Sequence, residues 1–435
     1  MKRFAAAALA LISLCGCHVA FSTIGSWSKV SGPPTPANGE WFVPLRDGRV
    51  GVFGGSLPNG QPSFETAIYD PMNGTWDRGK PMPGPAFPDV VAALSDGTVL
   101  VAGGRDAGGT PKGDTWVYDP TGNTWAQAGS LIEPRMVPFQ VLLTDGRLMI
   151  AGGSVPLDTP EQTPNGEVDF KPISSAEIYD PATKSWSKAG DLNVTRDGLA
   201  LVALGGGGAL AAGGCVGPAG FAPPSETTEV YDPVSNKWSL TTPLPVPICG
   251  AGGAVLRDGR ALIVDQYTFT GVARFFYQSS DDAFVYDPKT RSWALTGGLA
   301  SGGSGVLRLS NGQVLVPELQ TGEQSGRTFK QLVGGQIFDP ESNEWNYVTT
   351  TSVTMPLSYM VNGTPPIVMS LPDGSALVIL QTNAVAFHPQ QPPPSTQVLD
   401  SAGLTFALGG ALLVIVLLIA IAYWRAARAD PMKLP

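Results

Sequence analysis

Charged side chains are scarce, at 14% of 435 residues, and the balance is acidic: 27 Lys and Arg against 36 Asp and Glu, a formal net charge of -9. A field of that sign repels phosphate backbones, so nucleic acid is set aside as a partner. Histidine is rarer still, with only His18 and His388. Zinc and copper centres built on imidazoles need several in one place, so no metal and no other cofactor is expected. Cysteine stops at four. Cys15 and Cys17 lie near the start, which leaves Cys215 and Cys249 as the only pair in the body of the chain. No Ser, Thr or Cys stands beside a legible base partner, so no catalytic nucleophile is read.

What is abundant is turn-forming residues: 54 Gly and 40 Pro, a composition of many short strands that makes the fold class all-β. The two ends read differently. Residues 1–17 have the form of a signal peptide, with Lys2 and Arg3 ahead of a short apolar run from Phe4 to Leu14. The sequence Leu14-Cys15-Gly16-Cys17 is similar to a lipoprotein cleavage box. Two outcomes stay open there: lipidation of Cys17, or ordinary cleavage or an uncleaved anchor without it. Residues 402–424 carry no charge and are rich in Leu, Ile, Val and Ala, long enough as a helix for the roughly 30 Å hydrocarbon core. Arg425, Arg428 and Lys433 follow, so residues 425–435 are expected in the cytoplasm and all before the helix outside it. Residues 390–401, with Pro392-Pro393-Pro394, read as a linker.

Between the ends a unit recurs at a period of about 50 residues. Its first marker is a tight turn between apolar runs, at Asp47-Gly48, Asp96-Gly97, Asp145-Gly146, Asp258-Gly259, Asn311-Gly312 and Asp373-Gly374, with residues 205–208, all glycine, in the fourth unit's slot. These predict seven hairpins closed by two-residue turns with positive φ. The second is a doublet at the end of the following strand: Gly54-Gly55, Gly103-Gly104, Gly152-Gly153 and Gly213-Gly214. Units five to seven have Val264-Asp265, Val316-Pro317 and Ile379-Leu380 there, and are expected to depart locally. The third is an aromatic residue, Asp-Pro and a following Trp, as in Tyr118-Asp119-Pro120 to Trp125, present in six units. Asp-Pro opens a type I turn in which the carboxylate accepts from the amide two residues on.

These markers resemble the kelch repeat, over residues 24–389. The resemblance implies a seven-bladed propeller of four-stranded antiparallel blades. The seventh unit has no Trp strand of its own, whereas Gly25-Ser26-Trp27-Ser28-Lys29-Val30 is similar to a fourth strand, so the N-terminal strand is expected to close the ring. Enzymatic kelch proteins that resemble galactose oxidase hold copper with two histidines and two tyrosines, one joined to a cysteine, which this chain cannot supply.

Binding is the remaining class. Second-to-third-strand connections and blade-to-blade links share one face, the loop face; the Asp-Gly and Asp-Pro turns lie on the other, the turn face. The long connections are residues 154–173, 215–228, 266–282 and 318–333, read as loops. Arg274, Phe275, Phe276 and Tyr277 form a set suited to a contact hot spot or to a plug over the channel. Arg105, Glu133, Arg135 and Arg196 are candidates to grip an acidic sugar or a carboxylate, or to bond loop carbonyls. Asp158, Glu161, Glu167 and Asp169 lack a calcium-loop signature and read as solvated. A Cys215–Cys249 disulfide is expected, because both fall on the loop face in an exported chain. The expected function is a membrane-anchored scaffold in the cell envelope that binds a protein or a glycan. The alternative is a metal-free carbohydrate-active propeller resembling sialic acid mutarotases. The last strand leaves on the turn face, which is expected to point at the membrane.

Overall fold

The computed structural model describes residues 25–389 except 31–40, 56, 58–60, 72, 85–86, 107–109, 164–165, 197, 216–222, 266–267, 270–276, 279–281, 298–304, 325–326, 350–357, 360–366, 372–373 and 381–382. The signal-peptide, Cys17, linker and 402–424 readings, and Arg274, Phe275 and Phe276, lie outside the described residues. Among the described residues no helix is long and apolar enough to cross a membrane.

Each Asp-Gly turn joins two strands, a third antiparallel strand pairs with the second, and the Trp strand pairs on the outside. The second blade shows the pattern, with Val90–Ala93, Val99–Ala102, Thr115–Asp119 and Thr124–Ala128 in that order. Seven such sheets are present. The seventh places Gly25–Val30 outside Asn383–Pro389, with Trp27 opposite Phe387 and their ring centroids 5.0 Å apart. His388 stands in the slot that Asp holds elsewhere, and its Nε2 bonds Ser28 Oγ at 2.7 Å across this seam.

The Asp-Pro carboxylates act as expected: Asp119, Asp180, Asp232, Asp287 and Asp339 each accept from the amide two residues on, at 2.8 to 3.0 Å. The Asp-Gly turns differ from expectation. Leu45 N–H bonds Arg49 O, Gly48 N–H bonds Leu45 O, and of the turn residues only Gly48 has positive φ, at 90°. This is a three-residue loop, a type I turn followed by a left-handed glycine, which needs one special residue rather than two. The doublets lie where a Cβ would collide: at Gly104 it would sit 2.1 Å from Phe87 O, and at Gly153 2.5 Å from Met136 O.

Two long connections read as loops are strands. After the third-blade doublet the chain forms a hairpin of its own, Ser154–Thr163 with Gly166–Pro172. In the sixth blade nothing breaks the second strand, so Val314–Gln324 pairs with Arg327–Asp339 far past the blade, with one register shift between Glu318 and Leu319. Ser358–Tyr359 joins that ribbon, making the sixth sheet five-stranded. In the fifth, Tyr277–Gln278 pairs with Thr268–Phe269. Apolar clusters fill the spaces between blades; one joins Val90, Leu100 and Ala102 of the second to Ile150, Tyr179 and Trp186 of the third.

Candidate functional site

The loop face is built by chain entering each first strand and leaving each second one. Arg135 enters the third blade there and is fully buried. Its Nη1 donates to Gly152 O at 3.1 Å and Ser175 O at 2.7 Å, its Nε to Glu133 O at 3.2 Å, and its Nη2 to Glu177 Oε1 at 2.7 Å. Glu177 in turn accepts the backbone N–H groups of Ile132 and Glu133. The fourth blade repeats the arrangement. Arg196 donates to Val194 O, Gly213 O, Thr227 O and Glu229 Oε1, and Glu229 accepts from the amides of Asn193 and Val194. Burial pulls the Arg196 guanidinium below its ordinary range, against the opposing pull of Glu229. Of the two roles open to Arg135 and Arg196, their hydrogen bonds fit the second: their donors are spent on carbonyls and a buried carboxylate. The signal for this was in the sequence. Glu177 and Glu229 stand two residues before the third-strand Tyr only in the units that carry these arginines, and the fifth blade has Ile248 and Phe284 in those slots. At that junction Cys215 and Cys249 form a disulfide instead, with Cα atoms 5.1 Å apart, tying the fourth blade to the entry of the fifth.

Over the third-blade clamp lies a cleft of about 430 Å³. Its floor is Arg135 with Glu177, and its rim includes Glu133, Lys171, Lys188 and Asp191. Glu133 is half-exposed, and its Oε2 accepts from Ser175 Oγ and Arg135 Nη2. Lys171 ends the third-blade hairpin and pairs with Val155, so the hairpin's root forms one wall. Both signs of charge meet here, the cations on strands and Glu133 and Asp191 on the connecting segments. Lys171, Lys188 and Asp191 carry no motif, and only their tertiary placement makes them a set.

Arg105 lies apart from this cleft. Its backbone N–H bonds Phe87 O at 3.2 Å at the entry of the second blade, and its buried Nε has no hydrogen-bond partner. Its charge acts on Asp89, a carboxyl only 9% exposed that burial pushes up to about 6, with the pull of Arg105 and a bond from the Val137 amide opposing. Asp158 is exposed on the third-blade hairpin, where Glu161, Glu167 and Asp169 also lie. Among the described residues no group of three or more potential ligands is placed to hold a metal ion.

A family profile described as the kelch motif matches residues 87–132 and 200–245. Among solved structures, that of YjhT is 16% identical and covers 74% of this chain and 99% of its own, with a TM-score of 0.50. A fungal alcohol oxidase of the AA5 family, in complex with copper, is 15% identical, covers 84% of this chain and 77% of its own, and has a TM-score of 0.59. At these identities the likeness speaks for the fold alone.

Proposed function

The chain is a kelch-repeat β-propeller, and from that premise we propose that it is an envelope binding module whose loop face takes a protein or glycan partner. The observation that carries this reading is the third-blade cleft, where a paired hairpin is rooted beside Glu133, Lys171, Lys188 and Asp191. A hairpin paired at its root and its tip, with a register shift between Pro156 and Glu161, presents contacts at a lower ordering cost than a free loop. A charged rim over an already neutralised floor supplies steering and register.

The same reading holds the chain outside the cytoplasm, tethered by residues 402–424, with lipidation of Cys17 as a second anchor where it occurs. It is supported by the uncharged composition of that segment, by the basic residues after it, and by Asn383–Pro389 ending on the turn face, opposite the hairpins. A copper oxidase chemistry like that of the fungal relative is not proposed, because the chain has only His18 and His388, and His388 is engaged with Ser28. A carbohydrate-active reading draws no support from Arg135 and Arg196, whose donors are spent.

The test is capture of envelope proteins, alongside a glycan array, by the whole protein and by a variant in which residues 156–170 are replaced by a tight turn. Binding that is lost with the hairpin supports the proposal. Equal binding by both forms overturns it.

A further inference from the structure

The cleft over the third blade has an internal control one blade further on. The fourth blade builds the same clamp: Arg196 Nε bonds Val194 O as Arg135 Nε bonds Glu133 O, and Leu244 N–H bonds Glu226 O as Leu192 N–H bonds Ser174 O. Each buried glutamate stands opposite one residue of the outer strand, Glu177 opposite Lys188 and Glu229 opposite Leu240. The two rims therefore align position by position. Glu133, Lys188 and Asp191 of the third blade correspond to Val194, Leu240 and Pro243 of the fourth. The clamp forms without a charge at any of these places, so the three charges of the third-blade rim are not a requirement of the fold.

Lys171, Lys188 and Asp191 are exposed, and among the described residues none of them enters an ion pair. Directly opposite residues of antiparallel strands point to the same side, so Lys188 shares the face of Glu177 and lines the cleft from the outer strand. Glu133 is fixed by Ser175 Oγ and by Arg135 Nη2, the latter at 3.4 Å. In the floor Arg135 and Glu177 pair at 2.7 Å and balance each other. The rim is left with two cations, Lys171 and Lys188, and two acids, Glu133 and Asp191. A simple anion there meets two carboxylates and a simple cation two ammoniums, whereas a ligand that carries both charges satisfies both pairs. Ile132, 46% exposed, adds an apolar wall. At about 430 Å³ the cleft falls in the lower part of the roughly 300–1,000 Å³ range of small-molecule sites.

We propose that the third-blade cleft binds a short zwitterionic peptide by its two free ends. The carboxylate accepts from Lys171 and Lys188, the ammonium donates to Glu133 and Asp191, and a small side chain rests on Ile132. This rests on the reading of the loop face as a binding surface and names the ligand class of its cleft.

Three matched probes test this on the full chain by saturation-transfer NMR titration: alanyl-alanine, its N-acetyl form, which keeps only the carboxylate, and its amide form, which keeps only the ammonium. Alanyl-alanine is expected to bind, and each blocked form to bind about fivefold more weakly, the scale of one part-exposed ion pair. Lys188→Leu and Glu133→Val install the residues that the fourth blade carries in a folded clamp. Lys188→Leu should weaken alanyl-alanine and its N-acetyl form but not the amide form, and Glu133→Val should weaken alanyl-alanine and the amide form but not the N-acetyl form. A misfolded variant loses all three probes together, so the crossed pattern separates recognition from stability. The proposal is overturned if alanyl-alanine does not bind, if either blocked form binds as well as it does, or if either variant weakens all three probes alike. Loss of partner capture on replacing residues 156–170, with no binding of alanyl-alanine, overturns this inference and leaves the binding-module reading standing. Binding of alanyl-alanine with no hairpin-dependent partner supports it and overturns that reading.

Discussion

Replacing Asp89 with asparagine should make the propeller more stable at neutral pH and leave it little changed in acid. The folded carboxyl is pushed from 3.8 up to about 6, mainly by burial. An acid whose folded pKa lies above its unfolded one holds its proton more tightly when folded. Its stability cost is therefore absent below about pH 4, grows between about 4 and 6, and is constant above that. At about 1.36 kcal/mol per pH unit the full cost is at most about 3 kcal/mol. Asparagine keeps an oxygen for the Val137 amide and removes the charge, so part of that cost, about 1–3 kcal/mol, should be recovered. The assay is urea unfolding of both proteins at pH 4.5 and 7.5, compared as a difference of differences so that other titrating groups cancel. A gain at pH 7.5 that shrinks at pH 4.5 is expected. An equal effect at both values, or a larger loss at pH 7.5, would refute the reasoning.

Trp27 is 4% exposed and packs on Phe387, so Trp27→Ala should cost about 3–5 kcal/mol; unfolding indistinguishable from the parent would show that Gly25–Val30 does not close the ring. Arg196→Met leaves Glu229 buried without its cation and should cost about 3–5 kcal/mol, whereas Arg196→Met with Glu229→Leu should recover much of that; additive losses in a double-mutant cycle would contradict the clamp. The disulfide predicts that Cys215 and Cys249 resist alkylation in unreduced protein and take two labels after reduction, by intact mass.

The blade plan was legible in the sequence because each of its markers is a local demand on the backbone. Gly at the turns and doublets answers positive φ and close approach, and Asp-Pro answers a turn that the carboxylate itself caps. Closure by residues 25–30 was legible because Trp27 completes a unit that lacks a Trp. The sixth-blade ribbon was half legible: the missing doublet announced a departure, but only pairing showed that the strand simply continues. The site was harder. Arg135 and Arg196 drew attention as exposed-type residues, while Glu177 and Glu229, which bury them, were overlooked although they recur with them. Asp89 and Val137 gave no signal, since an unpartnered oxygen and a strained φ exist only once the second and third blades meet.

The claim that the loop face is the binding surface is tested most directly by site-specific photo-crosslinking. A photoreactive residue placed at Ser174, at the root of the third-blade hairpin, or at Lys289, on the turn face, is activated in intact cells. The account predicts a discrete crosslinked partner from Ser174 and none from Lys289. The same partner captured from Lys289 and not from Ser174 would contradict it.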